Sequence, residues 1–209
     1  HTISPFAIPP SWKRFRAYDH GRAKPASCGW YALDYDGKVY KYREYYMTGQ
    51  DVDKIAQEIN RLSQGEVYEY SVADPSIFAN IGYVDKYGGQ TIAETFARNG
   101  ITFLPASNRR VDGWNLMHQY LYWNNEVLPK LIFFNTCYNS IRTIPNLIHD
   151  EIKPEDLETD SEDHAADECR YLLMSLHERQ SVKPLTELER KLKMNREEDL
   201  NLNKFYYGS

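Results

Sequence analysis

Apolar and polar positions alternate through the first part of the chain and then shift to helical spacing. Residues 12–19 alternate basic with apolar or aromatic side chains, and residues 27–33 and 38–47 are two further β-rich runs. Asp34-Tyr35-Asp36-Gly37 between them is a D-G turn, the strongest short-range hairpin signal. A meander of three antiparallel strands is predicted. From Asp51 the period changes: Val52, Ile55, Ala56, Ile59 and Leu62 share one face of a helix over 51–63, stopped at Gly65. Residues 67–73 read as a strand that Asp74-Pro75 ends, because proline cannot donate to the ladder. A short helix over 91–98 ends at Gly100, and a strand over 101–105 follows. Residues 111–123 return to helical spacing, 131–134 are an apolar run read as the last strand or a short element under the sheet, and 137–149 are helical up to Pro145. A final helix over 164–176 aligns Ala166, Cys169, Leu172, Leu173 and Leu176, with Thr159 or Ser161 as its cap. Helices alternating with single strands extend the meander through crossovers. The expected class is α/β, a mixed central sheet flanked by helices.

Composition sets the limits. The 209 residues suffice for one well-buried domain with a tail. Residues 1–11 carry three prolines and no periodicity, the mark of an extended lead-in or linker remnant. Residues 12–176 hold the periodic elements, including an acidic loop over 150–163. Residues 177–209 are polar, with helical potential over 186–200, and read as a tail or partner-binding arm. The 17 tyrosines can pack while satisfying a hydroxyl at a surface. No apolar run reaches the roughly 18 residues of a membrane helix and no leader pattern opens the chain, so a soluble protein is expected. Cys28, Cys137 and Cys169 are odd in number and form no C-x-x-C pair, which favours core thiols in a reducing compartment. A formal charge of −5 argues against coating nucleic acid by bulk attraction, though not against a nuclease whose acids are masked by cations.

The candidate chemistry is acidic. Asp19 and Asp74 each end a β-rich run, and Asp167 lies on the last core helix, whose preceding turn carries His164, Asp163 and Asp160. Hard divalent cations take oxygen ligands, and Mg²⁺ needs only one or two carboxylates plus substrate phosphate. Two such ions about 4 Å apart activate water and stabilise the leaving oxygen of a phosphoryl displacement. On a helix His164 and Asp167 are three apart and Asp163 and Asp167 four apart, so these side chains converge. Acids are also common at strand ends and in first helical turns, so spacing alone does not single these out. Basic groups that suit phosphate contact are Arg22 and Lys24 after Asp19, and Arg109 and Arg110 after a predicted strand.

The order of elements is that of the RNase H-like fold, and the motifs are more specific. Tyr18-Asp19-His20-Gly21, Trp30 to Gly37 and Tyr42-Arg43-Glu44-Tyr45-Tyr46 resemble the opening of the nuclease domain of tailed-bacteriophage large terminase subunits. Ala73-Asp74-Pro75-Ser76 is similar to that family's second acidic motif, and Asp163-His164-Ala165-Ala166-Asp167 with Arg170-Tyr171 to its third. The resemblance spans residues 12–176. It implies a metal-dependent endonuclease that cuts concatemeric viral DNA in the host cytoplasm, with little sequence preference, using two Mg²⁺ or Mn²⁺ ions. It also implies Asp19 as bridging ligand, Asp74 and Asp167 as outer ligands, and His164 as ligand or proton-handling group, with Asp163 and Asp160 in reserve. The implied partners are double-stranded DNA, the ATPase domain of the same full-length protein, the portal and the small terminase subunit. The chain contains no G-x-x-x-x-G-K-[ST] loop, so it is expected to be an excised, monomeric domain without ATPase activity. Two alternatives stay open: another RNase H-like nuclease (junction resolvase, transposase or RNase H), and a non-catalytic portal or capsid docking module.

Overall fold

One sheet with helices on both faces organises the chain. The computed structural model describes residues 1–21, 23–80, 88, 91–148 and 162–181, with side chains up to Arg179. The chain divides into two units, His1–Leu176 and His177–Ser209, and the first holds the sheet. Strands β2 (Lys13–Asp19), β3 (Ala26–Leu33) and β4 (Val39–Met47) form the predicted antiparallel meander. Beyond β4, β7 (Leu131–Phe134) pairs in parallel, followed by β1 (Thr2–Ile3) from the proline-rich lead-in. Beyond β2, β5 (Tyr70–Ala73) and β6 (Leu104–Pro105) pair in parallel. Among the described residues the order of the seven strands is β1-β7-β4-β3-β2-β5-β6.

Each face is covered by a distinct apolar cluster. On one side Tyr18, Cys28 and Trp30 meet α1 (Val52–Leu62) and α2 (Ile92–Arg98), which bury Ile55, Ile59 and Phe96. A capping box starts α2: the Thr91 hydroxyl accepts from the Glu94 amide and the Glu94 carboxylate from the Thr91 amide, both at 3.1 Å. On the other side Phe15, Ala17, Tyr31 and Val72 meet α3 (Arg110–Leu121) and α5 (His164–Ser181), with Trp114, Cys169, Leu172 and Leu173 buried between. Each leucine removed from water here contributes about 1.5–3 kcal/mol.

Several elements differ from the apolar pattern. The strand predicted over 67–73 pairs only from Tyr70, because Val67 follows the turn at Gly65 (φ 80°) and stays exposed. The strand predicted over 101–105 is two residues long; Ile101 and Phe103 are buried as packing groups rather than ladder members. Helix α4 (Tyr138–Thr143) yields to a 3₁₀ turn at Ile144–Asn146, where Pro145 removes a donor. Helix α5 continues past Leu176 to Ser181. Thr159, Ser161, most of the acidic loop and the helical potential over 186–200 lie outside the described residues.

One irregularity re-phases β4. Trp30 faces Arg43 while Tyr31 faces Lys41, so Tyr42 is an extra residue opposite β3, a β-bulge. Arg43 lies on the α1 face, over Trp30 and bonded to Glu66, so period-2 counting back from it would place Lys41 there too; the bulge instead turns Lys41 to the α5 face, against Glu168, while Tyr40 and Tyr45 both pack on the α1 face.

Candidate metal centre

Strand register brings the first two acids together. In the parallel β2–β5 pair Tyr18 is opposite Ala73, so Asp19 and Asp74 leave the sheet side by side at neighbouring strand ends, about 4.8 Å apart in strand spacing. The Asp74 amide donates to the Tyr18 carbonyl at 3.0 Å and keeps them level. Side chains alternate across a strand. Asp19 thus follows Phe15 and Ala17 onto the α5 face, and Asp74 follows Val72 onto the same face. Asp74 also starts a 3₁₀ turn at Pro75–Phe78, accepting from the Ser76 amide at 2.9 Å and the Ser76 hydroxyl at 2.5 Å. Those bonds fix its rotamer.

The third support is the start of α5. The Asp163 carbonyl accepts from the amides of Ala166 (2.9 Å) and Asp167 (2.7 Å), which places Asp163 at the N-cap and His164 first in the helix. His164 Nδ1 meets Asp19 Oδ2 at 2.7 Å in a buried contact. Its other ring nitrogen, Nε2, is buried without a hydrogen-bond partner among the described residues. Glu162, just before the cap, is held by Arg142 through two bonds of 2.7 and 2.6 Å and accepts from the Tyr46 hydroxyl at 3.0 Å. The helix entry is thereby tied to β4 and α4.

Charge balance in this centre is unfavourable as it stands. Burial pushes the Asp19 carboxyl from an ordinary 3.8 up to about 7; the His164 hydrogen bond opposes this, and Asp167 and Asp74 push further upward. Burial would lower the His164 imidazole, but the Asp19 carboxylate outweighs it and the net direction is upward. Asp167 is raised too, by burial and by Asp163, against the pull of Arg170 and Arg110. A cluster whose acids hold their protons this high favours a bound cation. The donor set, carboxylates with one imidazole nitrogen lacking a partner, fits a hard divalent ion.

Two arginines stand in this space. Arg170 donates to Asp167 Oδ1 through Nε (2.9 Å) and Nη2 (2.7 Å), and Arg110 reaches Asp167 Oδ2 (3.3 Å) and Asp163 Oδ2 (3.4 Å). Among the described residues no three His, Cys, Asp or Glu side chains are arranged to hold one ion. Of the basic candidates, Arg110 is therefore at the acids, Lys24 is exposed and near enough to lower the His164 pKa, and Arg109 points to Asp112 at 3.3 Å instead. Arg22 and Asp160 lie outside the described residues.

Sequence reasoning did not find the group that fixes the rotation of α5. Glu168 and Lys41 form a fully buried ion pair beneath the helix, beside the Tyr31 ring. Burial alone would lower the Lys41 ammonium, but the Glu168 carboxylate outweighs it and holds it charged. Gly29 on β3 makes room: a Cβ there would collide with the Glu168 carboxylate and the Tyr31 ring. A lysine amid the tyrosines of β4 was the available signal, but only the sheet shows which acid meets it.

No family model matches the chain, and no curated protein does. Solved structures do. The large terminase of a thermophilic bacteriophage is 17% identical, covering 85% of this chain and 43% of its own, with a TM-score of 0.65. The chain thus spans about two-fifths of that protein. The large terminase nuclease domain of phage P22 is 17% identical, covering 84% of this chain and 87% of its own, with a TM-score of 0.66. The large terminase nuclease of the thermophilic phage G20c with bound cobalt is 12% identical, covering 79% and 82%, with a TM-score of 0.53. The seven-stranded mixed sheet with helices on both faces is the RNase H-like fold, in the form that large terminase nuclease domains carry.

Proposed function

We propose that the chain is the nuclease domain of a viral DNA-packaging motor, a divalent-metal-dependent endodeoxyribonuclease cutting concatemeric double-stranded DNA with little sequence preference. The observation that carries this reading is the buried Asp19–His164 pair, standing beside Asp74 and Asp167 on a fold shared with terminase nucleases. Asp19, Asp74 and Asp167 would hold the Mg²⁺ or Mn²⁺ ions, with Asp163 in reserve. Such ions supply Lewis acidity and charge neutralisation for an in-line displacement at phosphorus. The G20c neighbour with bound cobalt supports divalent-ion use in this fold.

The chain's own groups position and dry the centre. Asp74 and Asp19 sit on adjacent strand ends and so cannot drift apart. His164 spends Nδ1 on Asp19, which leaves Nε2 to ligate or to handle a proton at the leaving oxygen. Arg110 and Lys24 add positive charge at the rim for DNA phosphate. The proposed limits are residues 12–176 for the nuclease and 177–209 for a tail. The proposed setting is the host cytoplasm, with the ATPase domain, portal and small terminase subunit as partners.

The test is incubation with supercoiled and linear duplex DNA in Mn²⁺ or Mg²⁺. Nicking and degradation are expected, and Asp74→Asn or Asp167→Asn abolishes them while leaving the protein folded. Preference for RNA–DNA hybrids or four-way junctions would reassign the substrate. Failure to cut with any divalent ion would overturn the enzyme reading.

A further inference from the structure

The two arginines that meet Asp167 are not equivalent. Arg170 is 1% exposed and donates two short bonds, its guanidinium lying over Trp114 at 5.0 Å and Tyr171 at 4.6 Å. Its aliphatic stem fills the space over Gly113, where any Cβ would collide with it. It is built in. Arg110 is the first residue of α3, its side chain is 35% exposed, and its bonds to Asp167 and Asp163 are 3.3 and 3.4 Å. Those lengths exceed the roughly 2.9 Å typical of N–H···O bonds, and a part-exposed pair of this kind is weak. Its guanidinium also lies over the Trp114 ring, 5.4 Å from the centroid.

The bridge Arg110 makes is also the geometry of a cation between two carboxylates. Asp163 and Asp167 are one helical turn apart, and a single positive group spans their Oδ2 atoms. A divalent ion recruiting Asp167 or Asp163 meets that guanidinium first. We propose that Arg110 is a built-in placeholder cation, which occupies the Asp163 and Asp167 carboxylates in the free protein and is released to a DNA phosphate when a divalent ion loads. This rests on the metal-site reading above and adds an order of events to it. The acids stay paired and aligned without metal, entry of the ion frees a guanidinium at the rim, and phosphate gains a bidentate donor at that moment.

Mn²⁺ binding without DNA, followed by the electron paramagnetic resonance of the free ion, separates this from a structural role. Arg110→Gln removes the competitor, and its Mn²⁺ dissociation constant is expected to fall about fivefold, the worth of two weak part-exposed pairs. Arg109→Gln changes net charge equally but touches Asp112, so its Mn²⁺ affinity stays at the wild-type value. At saturating Mn²⁺ the cleavage rate of Arg110→Gln on duplex DNA falls about tenfold, as for loss of one charged phosphate contact. Tighter metal with slower cutting is a combination that misfolding does not produce. Melting curves of both variants, with Arg110→Lys as a fallback that keeps one charge, confirm that the fold is intact. Unchanged or weaker Mn²⁺ binding in Arg110→Gln, or an equal gain in Arg109→Gln, overturns the placeholder role and leaves the metal site standing. No Mn²⁺ binding by the wild type overturns the metal site, and this role with it.

Discussion

Asp19→Asn is the perturbation that most directly weighs the electrostatics of the centre. In the free protein the Asp19 carboxyl is raised from 3.8 to about 7, chiefly by burial, and Asp167 and Asp74 add to it. An acid raised on folding binds more protons in the native state than in the unfolded one. Its stabilising contribution is complete below the unfolded pKa and is lost as pH rises toward the folded value. The His164 partner shifts in the same direction, so the pair reinforces the slope. The rise of about 3 units corresponds to at most about 4 kcal/mol between pH 4 and pH 8. Asparagine cannot ionise and still offers His164 an acceptor. In EDTA the variant and the wild type should therefore unfold alike near pH 4, while at pH 8 the variant is the more stable, by up to about 4 kcal/mol. For a chain of this length that is about 8–16 °C in melting temperature. Adding Mn²⁺ at pH 8 should stabilise the wild type and leave the variant unmoved. Urea and thermal unfolding across pH, with and without Mn²⁺, measure this directly. A wild type as stable as Asp19→Asn at pH 8 in EDTA would refute the claim that burial strains this carboxylate.

Two further outcomes test the frame around the centre. Lys41→Met alone strands a buried carboxylate and should cost about 3–5 kcal/mol in urea unfolding, whereas Lys41→Met with Glu168→Leu recovers most of the loss; a double variant as unstable as the single would contradict this. Ser63 Oγ accepts from Trp30 Nε1 at 2.9 Å and Arg16 Nη1 at 3.1 Å, so Ser63→Ala leaves two buried donors unpaired. A loss of about 2 kcal/mol is expected, and one below about 0.5 kcal/mol would show that the donors find other partners.

The meander and α1 were legible because their signals are local: alternation, a D-G turn, and a five-residue apolar stripe. Val67 and Ile101 misled for the same reason, since apolar residues beside a strand look like strand whether they pair or merely pack. The acids were readable as residues, and the α5 spacing showed that His164, Asp163 and Asp167 share a turn. What joins them to Asp19 and Asp74 is not local. It needs Tyr18 opposite Ala73 in a parallel pair and both acids in the phase that faces α5. Arg110 was read as a phosphate contact, because nothing in its neighbourhood announces the Asp163 carboxylate, 53 residues away. Lys41 and Glu168 are 127 residues apart, and a bulge at Tyr42 intervenes in the strand phase.

The His164–Asp19 contact joins residues separated by 145 positions, and that interval is also a delay. Strands β2, β3 and β4 leave the ribosome early and can pair with one another, whereas α5 emerges after every other described element. At ordinary synthesis rates the gap is on the order of ten seconds. Contacts of such long range form late in folding as well. During that time Asp19 and Asp74 lie at open strand ends without the helix that supplies His164, Asp163, Asp167 and Arg170. The acidic centre therefore assembles only when the last core helix docks, so a truncated or half-made chain has the sheet without the assembled centre.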